Sequence, residues 1–318
     1  MFEKILGQKK IKEILTGQLK SGKIAHAYIF IGQNGVGKRF TAVEFAKILN
    51  CSTNDFTKYE ADACGHCLNC LKISKNIHPD IHFIDFAKQA ELKDEEVEKQ
   101  KELKIDTIRY MQKEVSTKIR EGKWKFFIVE PAEKMNATAA NSLLKTLEEP
   151  PENTAIILIA RHKETIPKTI VSRSQILFFQ PLSQTEIETY LMLNESLTAQ
   201  KAQEIASLSE GSLEIAKKLL DGDESEGLNL WFKLKKENLC ASDILELSKT
   251  AARNNPLNCI DAMLAEAAKE FRLYPNGTSA ALELLSRSRE LLLKNVNAQT
   301  TFDNLFIDLY DLKKSDDI

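Results

Sequence analysis

The sequence predicts an α/β domain with a parallel sheet, followed by two helical units. In the first half of the chain, short and nearly continuous apolar runs alternate with helical patterns. A glycine-rich phosphate loop joins one of these runs to the helical pattern that follows it, and strand-like runs stop after residue 180. Continuous apolar runs are typical of strands buried on both faces, as in parallel sheets. Their alternation with helices indicates an α/β fold.

Five apolar runs are predicted to be strands: residues 27–31 (AYIFI), 81–85 (IHFID), 126–129 (FFIV), 155–160 (AIILIA) and 175–179 (QILFF). Helical patterns between them cover residues 39–50, 105–120 and 138–149. Two insertions interrupt this alternation. The first carries cysteines, from residue 51 to 70. The second, residues 90–102, is a charged run without apolar period, which predicts a solvated loop or a helix extension.

The second half of the chain has helical patterns. Ser183 and Glu186 form a capping box that opens the first of these helices. Others cover residues 198–208, 212–220 and 228–314, with a break at 274–277. The acidic, glycine-bearing stretch 221–227 is the best linker candidate. The predicted domains are therefore 1–179, with the cysteine insertion at about 51–70, then a small helical domain at 180–222 and a larger one at 223–318.

The charge balance of the 318 residues limits the partners that the chain can bind alone. Lys and Arg number 44 against 46 Asp and Glu, a net charge of −2. A protein that grips nucleic acid by itself usually carries a basic excess, so DNA contact should be weak or shared with partners. No apolar run approaches the ~20 residues of a membrane helix, and no secretory signal is apparent at the start. We therefore expect a cytoplasmic protein with reduced cysteines.

Residues 32–38 read GQNGVGK, the spacing of a Walker A phosphate loop. In such a loop the backbone N–H groups around Gly32, Gly35 and Gly37 surround phosphates, and Lys38 adds positive charge. A chance glycine turn is the alternative. Arg39 stands where an ATPase has the Ser or Thr that binds Mg²⁺. The loop therefore predicts ATP or ADP binding without the hydroxyl that positions the metal.

The acidic residues that an ATPase needs are also altered. Glu130 follows the third predicted strand and is followed by Pro131. An ATPase of this class has an Asp-Glu pair there, whose second carboxylate polarises the attacking water. The hydroxyl, the shorter Asp and the catalytic Glu are therefore all changed, and we do not expect hydrolysis.

Four of the six cysteines, Cys51, Cys64, Cys67 and Cys70, have the spacing C-x12-C-x2-C-x2-C. Thiolates at such spacing can converge on Zn²⁺ at about 2.3 Å, and four of them leave no open position, which predicts a structural zinc. A redox pair and His66 as a competing ligand are the alternatives. The other two cysteines, Cys240 and Cys259, are predicted to be core thiols.

Residues 141–151, NSLLKTLEEPP, closely resemble the N-A-L-L-K-T-L-E-E-P-P segment of bacterial DNA polymerase III clamp-loader subunits. Similar matches are LGQ at 6–8, HAY at 26–28, HPD at 78–80 and SRS at 172–174, so the resemblance covers residues 1 to about 220. It implies an AAA+ P-loop module with a five-stranded parallel sheet and a zinc insertion, a helical lid domain and an all-α collar domain. The implied partners are tau/gamma motor subunits and delta in a five-subunit ring, with sliding clamp and primer-template DNA reached through the complex.

The altered residues distinguish between the family's two kinds of subunit, the motor subunits and the stator. Motor subunits keep G-K-T and D-E, and Glu214 here follows the Gly-Ser-Leu stretch that carries an arginine in the family. The resemblance therefore implies a non-catalytic stator within a DNA-directed DNA polymerase assembly. It also implies that Arg173 is an arginine finger, which stabilises charge on the γ-phosphate of a neighbouring subunit's ATP.

Three alternatives stay open at this point. Arg173 could form only a local salt bridge, as most surface arginines do. The chain could be an active ATPase, either a tau/gamma-like motor subunit or a repair-type AAA+ enzyme. It could also be a zinc-dependent nucleic-acid binder, against which the acidic charge balance argues.

Overall fold

The computed structural model describes residues 2–53, 62–221, 225–236, 239–253, 255–273 and 279–314. The chain divides into two compact units, Met1–Glu214 and Ile215–Ile318. The predicted break at 274–277 lies outside the described residues. The predicted division into three domains remains a prediction.

A five-stranded parallel sheet forms the centre of the first unit, as predicted. Its strands are β1 (Ala27–Ile31), β2 (Ile81–Ile84), β3 (Lys125–Val129), β4 (Thr154–Ala160) and β5 (Gln175–Phe178), in the order β2-β3-β4-β1-β5. All residues of β1, β3 and β4 are buried, which explains why their sequences show no apolar alternation. The edge strand β5 is less covered, and Phe178 is 53% exposed.

Helices flank the sheet in the first unit. They are α1 (Lys9–Ser21), α2 (Lys38–Asn50), α3 (Leu68–Ser74), α4 (Phe86–Lys93), α5 (Ile105–Val115), α6 (Ala137–Glu148), α7 (Lys168–Val171), α8 (Gln184–Asn194) and α9 (Ala199–Leu208), and α10 (Leu213–Asp221) follows them. Helix α8 begins with the predicted capping box of Ser183 and Glu186.

Two hydrophobic clusters cover the two faces of the sheet. Alternate residues of β1 enter different clusters, Tyr28 in one and Ile29 in the other. Tyr28 and Phe126 each meet the ring of Phe45, on α2, edge to face with centroids 5.7 Å apart. This packing fixes α2, and with it the phosphate loop, against the sheet.

The charged insertion at 90–102 is organised by one buried amide. Gln89 donates to the Gln100 Oε1 atom at 2.7 Å and to the Glu102 carbonyl at 2.8 Å. Its own carbonyl oxygen accepts from the Lys104 N–H and the Thr107 hydroxyl. The insertion contains the end of α4 and a short 3₁₀ turn, Val97–Lys99.

The second unit is helical, with α11 (Ser225–Lys236), α12 (Ala241–Arg253), α13 (Pro256–Leu273), α14 (Ser279–Leu293) and α15 (Ala298–Lys314). Its core contains the buried Trp231, Phe302 and Phe306. Among the described residues, no helix combines the length and the apolar character that a membrane span requires.

The predicted linker at 221–227 is helical wherever the structure describes it. Asp221 ends α10, and residues 225–227 begin α11. A Cβ atom on Gly227 would lie 2.5 Å from the Cys259 carbonyl oxygen. A side chain at position 227 would therefore clash, because α11 packs closely against α13. The sequence pattern could not distinguish a glycine needed for such packing from a loop glycine.

Candidate functional site

The phosphate loop lies between β1 and α2, as predicted, and brings together Gly32, Gly35, Gly37 and Lys38. Gly35 and Gly37 have φ values of +76° and +91°, which favour glycine. The N–H groups of Gly35, Val36 and Gly37 form no hydrogen bond with another described residue. Inward-facing amides at a helix N-terminus form a cradle for an anion.

Lys38 is only 6% exposed and is held inside this loop. Its ammonium group donates to the Gly32 carbonyl at 2.5 Å and to the Gln33 carbonyl at 2.7 Å. Burial lowers the pKa of Lys38, while the carboxylates of Glu130 and Glu133 favour its charged form. The lysine is thus in place beside the cradle, with loop carbonyls as its present partners.

Residues 210–214 rest against the outer side of the phosphate loop. The Leu213 N–H donates to the Gly35 carbonyl at 3.0 Å, and the Gln33 side chain donates to the Glu210 carbonyl at 2.8 Å. A Cβ atom on Gly35 would lie 2.1 Å from Ser212 Oγ, so only glycine fits there. This contact brings Glu214 close enough to Lys38 to favour its charged form and oppose the lowering of its pKa.

Arg39 binds two carboxylates at the carboxyl ends of β2 and β3. Its guanidinium lies 3.1 Å from Glu130 Oε2 and 3.3 Å from Asp85 Oδ2. The guanidinium carbon is also 4.5 Å from the centroid of the Phe83 ring. Sequence reasoning missed Asp85, although its position directly after a predicted strand could have indicated it.

Magnesium is implied by folds that hydrolyse nucleotides, but these residues do not fit it. The hydroxyl ligand is replaced by Arg39, and the nearby carboxylates of Asp85 and Glu130 are already paired with that arginine. The following residue, Pro131, supplies no carboxylate. Glu133, also missed from the sequence, has one carboxylate oxygen buried without a hydrogen-bond partner among the described residues.

The four predicted cysteine ligands converge, with all four sulfur atoms within 4.8 Å of one another. The Cys51–Cys67 and Cys64–Cys70 sulfur distances are 4.0 and 3.9 Å. A tetrahedral zinc with bonds of about 2.3 Å requires sulfur atoms about 3.8 Å apart. The cluster therefore fits a metal of this kind without large movement.

Backbone amides stabilise the thiolate forms of this cluster. The Cys67 N–H points at the Cys64 sulfur at 3.3 Å, and the Cys70 N–H points at the Cys67 sulfur at 3.5 Å. Although burial opposes ionisation, hydrogen bonds that include those from Ser52 and Cys70 lower the pKa of Cys67 to about 5. Similar bonds, with Thr53 first, outweigh burial and lower the pKa of Cys64 to about 7. Burial raises the pKa of Cys70.

The other candidate ligand and thiols lie outside this cluster. His66 is exposed, and its Nδ1 atom is 2.9 Å from the Cys64 carbonyl oxygen. Cys259 is buried, as predicted, but the prediction for Cys240 is wrong because this residue is exposed. Cys240 precedes α12, where its N–H donates to the Asp243 carboxylate at 2.8 Å. It therefore helps to begin the helix and does not pack inside it.

Arg173 follows α7 and forms a local ion pair. Its Nη2 atom is 2.7 Å from Glu148 Oε1, and its Nη1 donates to the Thr169 carbonyl at 3.0 Å and to Ser172 Oγ at 3.2 Å. The side chains of Arg173 and Glu148 are 36% and 51% exposed. The arginine is thus at the surface, where water screens its pairing.

The HPD motif has a structural role in this chain. The Asp80 carboxylate accepts from the N–H groups of Arg120, Glu121 and Gly122, each at 2.8 Å. These backbone hydrogen bonds outweigh burial and lower the pKa of Asp80. Gln8 of the LGQ motif similarly donates to the carbonyls of Gln180 at 2.7 Å and Val36 at 3.3 Å. Both motifs therefore fix loops at the ends of the sheet.

A parallel sheet with a phosphate loop between β1 and α2, and an acidic residue after β3, defines a P-loop α/β protein. The family model described as "DNA polymerase III, delta subunit" matches residues 7–183, more than half of the chain. The chain belongs to the clamp-loader AAA+ family of DNA polymerase III subunits.

Relatives of two kinds are similar to this chain. It is 32% identical over 202 residues to the DNA polymerase III subunit delta' of Bacillus subtilis (strain 168), covering 64% of this chain and 56% of the relative. It is also 32% identical over 225 residues to subunit tau of Escherichia coli (strain K12), covering 69% of this chain and 32% of the relative. The chain thus spans about half or less of these relatives' lengths.

One solved structure shows the same fold. It is a DNA polymerase III gamma subunit-related protein from Thermotoga maritima, with 18% identity and a TM-score of 0.54. The match covers 96% of this chain and all of that one. At this identity the likeness concerns the fold alone.

Proposed function

We propose that this chain is a non-hydrolysing stator subunit of the delta prime kind, which helps a clamp loader place the sliding clamp on primed DNA. The observation that carries this proposal is the contact of Arg39 with Glu130 and Asp85. A positively charged side chain there occupies the carboxylates that would otherwise help to hold Mg²⁺ during phosphoryl transfer. A tau/gamma-like motor subunit is the second candidate, because relatives of that kind are equally similar in sequence.

The phosphate loop of this proposed subunit binds ATP or ADP without hydrolysing it. Gly32, Gly35 and Gly37 shape the cradle, and Lys38 exchanges its loop carbonyls for phosphate oxygens. Hydrolysis would need a positioned metal and a polarised water, for which this site has neither the hydroxyl nor the second carboxylate.

Phosphate release from ATP by the purified full chain tests the stator proposal. We expect no steady release above that of a Lys38→Ala control, with or without DNA. Steady hydrolysis by the wild-type chain that the Lys38→Ala variant lacks would contradict the stator and support the motor subunit. Nucleotide binding is measured separately, since binding and hydrolysis use different groups in this loop.

Arg173 acts in trans on the ATP of an adjacent tau/gamma motor subunit in this proposal. A guanidinium stabilises the charge that develops on the γ-phosphate during phosphoryl transfer. The contact with Glu148 is half-exposed, and exposed ion pairs contribute only about 0–1 kcal/mol. Arg173 can therefore leave this carboxylate at little cost when a triphosphate lies across the subunit interface.

Cys51, Cys64, Cys67 and Cys70 hold one structural zinc in this proposal. The sulfur distances and the N–H groups directed at the sulfurs support it. Four protein ligands leave no position for substrate, so the metal would stabilise the insertion and take no part in catalysis.

Partner subunits supply most of the DNA contact in this proposal, which the net charge of −2 supports. Titration of primed DNA with the lone chain at two salt concentrations separates this role from that of a zinc-dependent nucleic-acid binder. We expect weak binding at low salt and none near physiological salt. Reconstitution with tau/gamma and delta subunits then tests assembly directly.

A further inference from the structure

Asp85 and Glu130 are neighbours at one edge of the sheet. Ile84 pairs with Val129 in the register of β2 and β3, and the Glu130 N–H donates to the Ile84 carbonyl at 3.1 Å. Asp85 and Glu130, which directly follow these two strands, therefore lie at the same edge of the sheet. One guanidinium, that of Arg39, contacts both carboxylates at 3.1 and 3.3 Å.

Two carboxylates surround the guanidinium of Arg39 as they would surround a bound cation, except that this cation is a side chain of the protein. Arg39 is the second residue of α2, next to Lys38, so its backbone is held at the mouth of the phosphate cradle. A guanidinium is charged at all physiological pH values and has five donors, so it can bind two carboxylates and still reach another anion. The Phe83 ring, 4.5 Å away, adds a cation–π contact.

A divalent cation would compete poorly for the same carboxylates. Mg²⁺ demands octahedral oxygen ligands at about 2.0–2.1 Å, and the hydroxyl that contributes one of them in active phosphate loops is absent here. Binding of the metal would also require Arg39 to leave both Asp85 and Glu130. The ion pairs of Arg39 thus disfavour the metal on both structural and electrostatic grounds.

We propose that Arg39 is a tethered cation in the place of Mg²⁺, so that this phosphate loop takes nucleotide polyphosphates without a divalent metal. This inference rests on the proposed nucleotide binding at the loop. The positive groups available to the polyphosphate are Lys38, Arg39 and the N–H groups of residues 35–37, while the carboxylates of Glu133 and Glu214 favour the charged form of Lys38.

Removal of the guanidinium should convert the site into one that responds to metal. In Arg39→Ser a hydroxyl returns, and the carboxylates of Asp85 and Glu130 lose their shared partner. Arg120→Ser is the matched control, because Arg120 pairs with Glu114 at 3.2 Å outside the phosphate loop. Two unpaired neighbouring carboxylates repel each other, and a divalent cation relieves that repulsion.

Calorimetric titration of the full chain with ATP or ADP, in Mg²⁺ and in EDTA, tests the proposal. We expect the wild-type and Arg120→Ser Kd values to agree within about twofold between the two buffers, and Arg39→Ser to bind at least about tenfold more tightly with Mg²⁺. Wild-type binding that disappears in EDTA would overturn the inference and leave the proposed nucleotide binding intact.

A second measurement keeps the two proposals separate. Without nucleotide, Mn²⁺ should raise the Tm of Arg39→Ser, and should leave unchanged the Tm of the wild type and of the double variant Arg39→Ser/Glu130→Gln. If nucleotide binds in neither buffer, the proposed nucleotide binding fails, while the Mn²⁺ response would still support Arg39 as the occupant of the metal position. Equal Mn²⁺ responses of wild type and Arg39→Ser would overturn that assignment.

Discussion

The phosphate loop and the cysteine cluster, both recognised by residue spacing, differ in how their charged groups are balanced. In the phosphate loop, Lys38 contacts carbonyl oxygens and Arg39 contacts carboxylates of the same chain. In the cysteine cluster, four thiols lie within 4.8 Å of one another, and hydrogen bonds favour thiolates at Cys64 and Cys67. Thiolates this close repel each other unless a cation lies between them.

Two motifs that are equally clear in sequence can therefore differ in whether the chain itself neutralises their charged groups. The cysteine cluster brings together groups that favour negative charge, whereas Lys38 and Arg39 of the phosphate loop have partners within the chain. We therefore expect the proposed zinc to matter more for the local fold of the cluster than a nucleotide does for the fold of the loop. The following predictions test that distinction, beginning with the largest expected effect.

Cys67→Ser should remove the metal from the cluster. Structural zinc in finger peptides binds with an apparent free energy of about 10–16 kcal/mol, and three thiolates form a much weaker site than four. Metal analysis of protein purified without added zinc should show close to one equivalent in the wild type and little in Cys67→Ser. The parallel sheet should stay folded, because its two hydrophobic clusters do not include Cys67.

The exposed Cys240 provides the matched control for this substitution, and Cys240→Ser should keep its metal. Wild-type protein without metal, or with the four cysteines paired as disulfides, would show that the cluster is not a zinc site. The contrast with the phosphate loop would then be lost.

Arg173→Ala should strongly slow hydrolysis at one site of a reconstituted clamp loader. Loss of a trans arginine typically slows phosphoryl transfer by about 10³–10⁵ at the affected site. Only one motor site faces this subunit in the proposed ring, so total ATPase should fall partly and DNA-triggered clamp loading further. Arg173→Lys should restore little activity, since an ammonium lacks the planar fork of donors. Gel filtration confirms that the complex is intact.

Glu148→Ala is the control that separates the two roles of Arg173, because it removes the carboxylate of the local ion pair and leaves the arginine in place. We expect this variant to keep ATPase and clamp loading near wild-type levels. A loss as large as that of Arg173→Ala would indicate that the ion pair itself is required, and that the arginine acts within its own subunit.

The strands were predicted closely from sequence, and for β1, β3 and β4 the reason is that their apolar runs are buried on both faces. The runs at 126–129 and 155–160 differ from β3 and β4 by one residue. The helix predicted at 105–120 ends at Val115 instead. The ammonium of Lys125, from the next strand, donates to the carbonyls of Glu114 at 2.9 Å and Thr117 at 2.6 Å. No local pattern could reveal a cap supplied by a side chain so far along the chain.

The two candidate sites also differ in how much of each could be predicted from local sequence. Three cysteine ligands lie within seven consecutive residues, so their spacing alone predicted the cluster. The partner of Arg39 that sequence reasoning missed, Asp85, is 46 residues away along the chain, and it lies beside Glu130 because β2 and β3 pair in parallel. The spacing of residues was enough to predict the phosphate loop. Which charged side chains pair around it could be seen only from the folded structure.

The smallest expected effect concerns low pH, and it distinguishes destabilisation of the sheet from release of metal by the cysteine cluster. His82, on β2, is stacked on Phe127 with ring centroids 4.7 Å apart, and its Nε2 atom is buried without a hydrogen-bond partner among the described residues. Burial lowers the pKa of His82 to about 4, with Glu114 and Asp80 opposing and Lys125 and Arg120 adding to the effect. The unfolded histidine has a pKa near 6.5, so acid protonates the unfolded chain first.

The histidine therefore contributes stability that is fully present above pH 6.5 and is lost as pH falls towards 4, by up to about 3 kcal/mol at ~1.36 kcal/mol per pKa unit. His82→Phe keeps a stacked ring and removes the titration. Urea unfolding between pH 7 and 4.5, with metal content measured at each pH, should show a shallower loss of stability in His82→Phe than in the wild type. Metal release should follow the same pH course in both proteins. Identical unfolding curves would mean that His82 contributes nothing to the acid response of the chain.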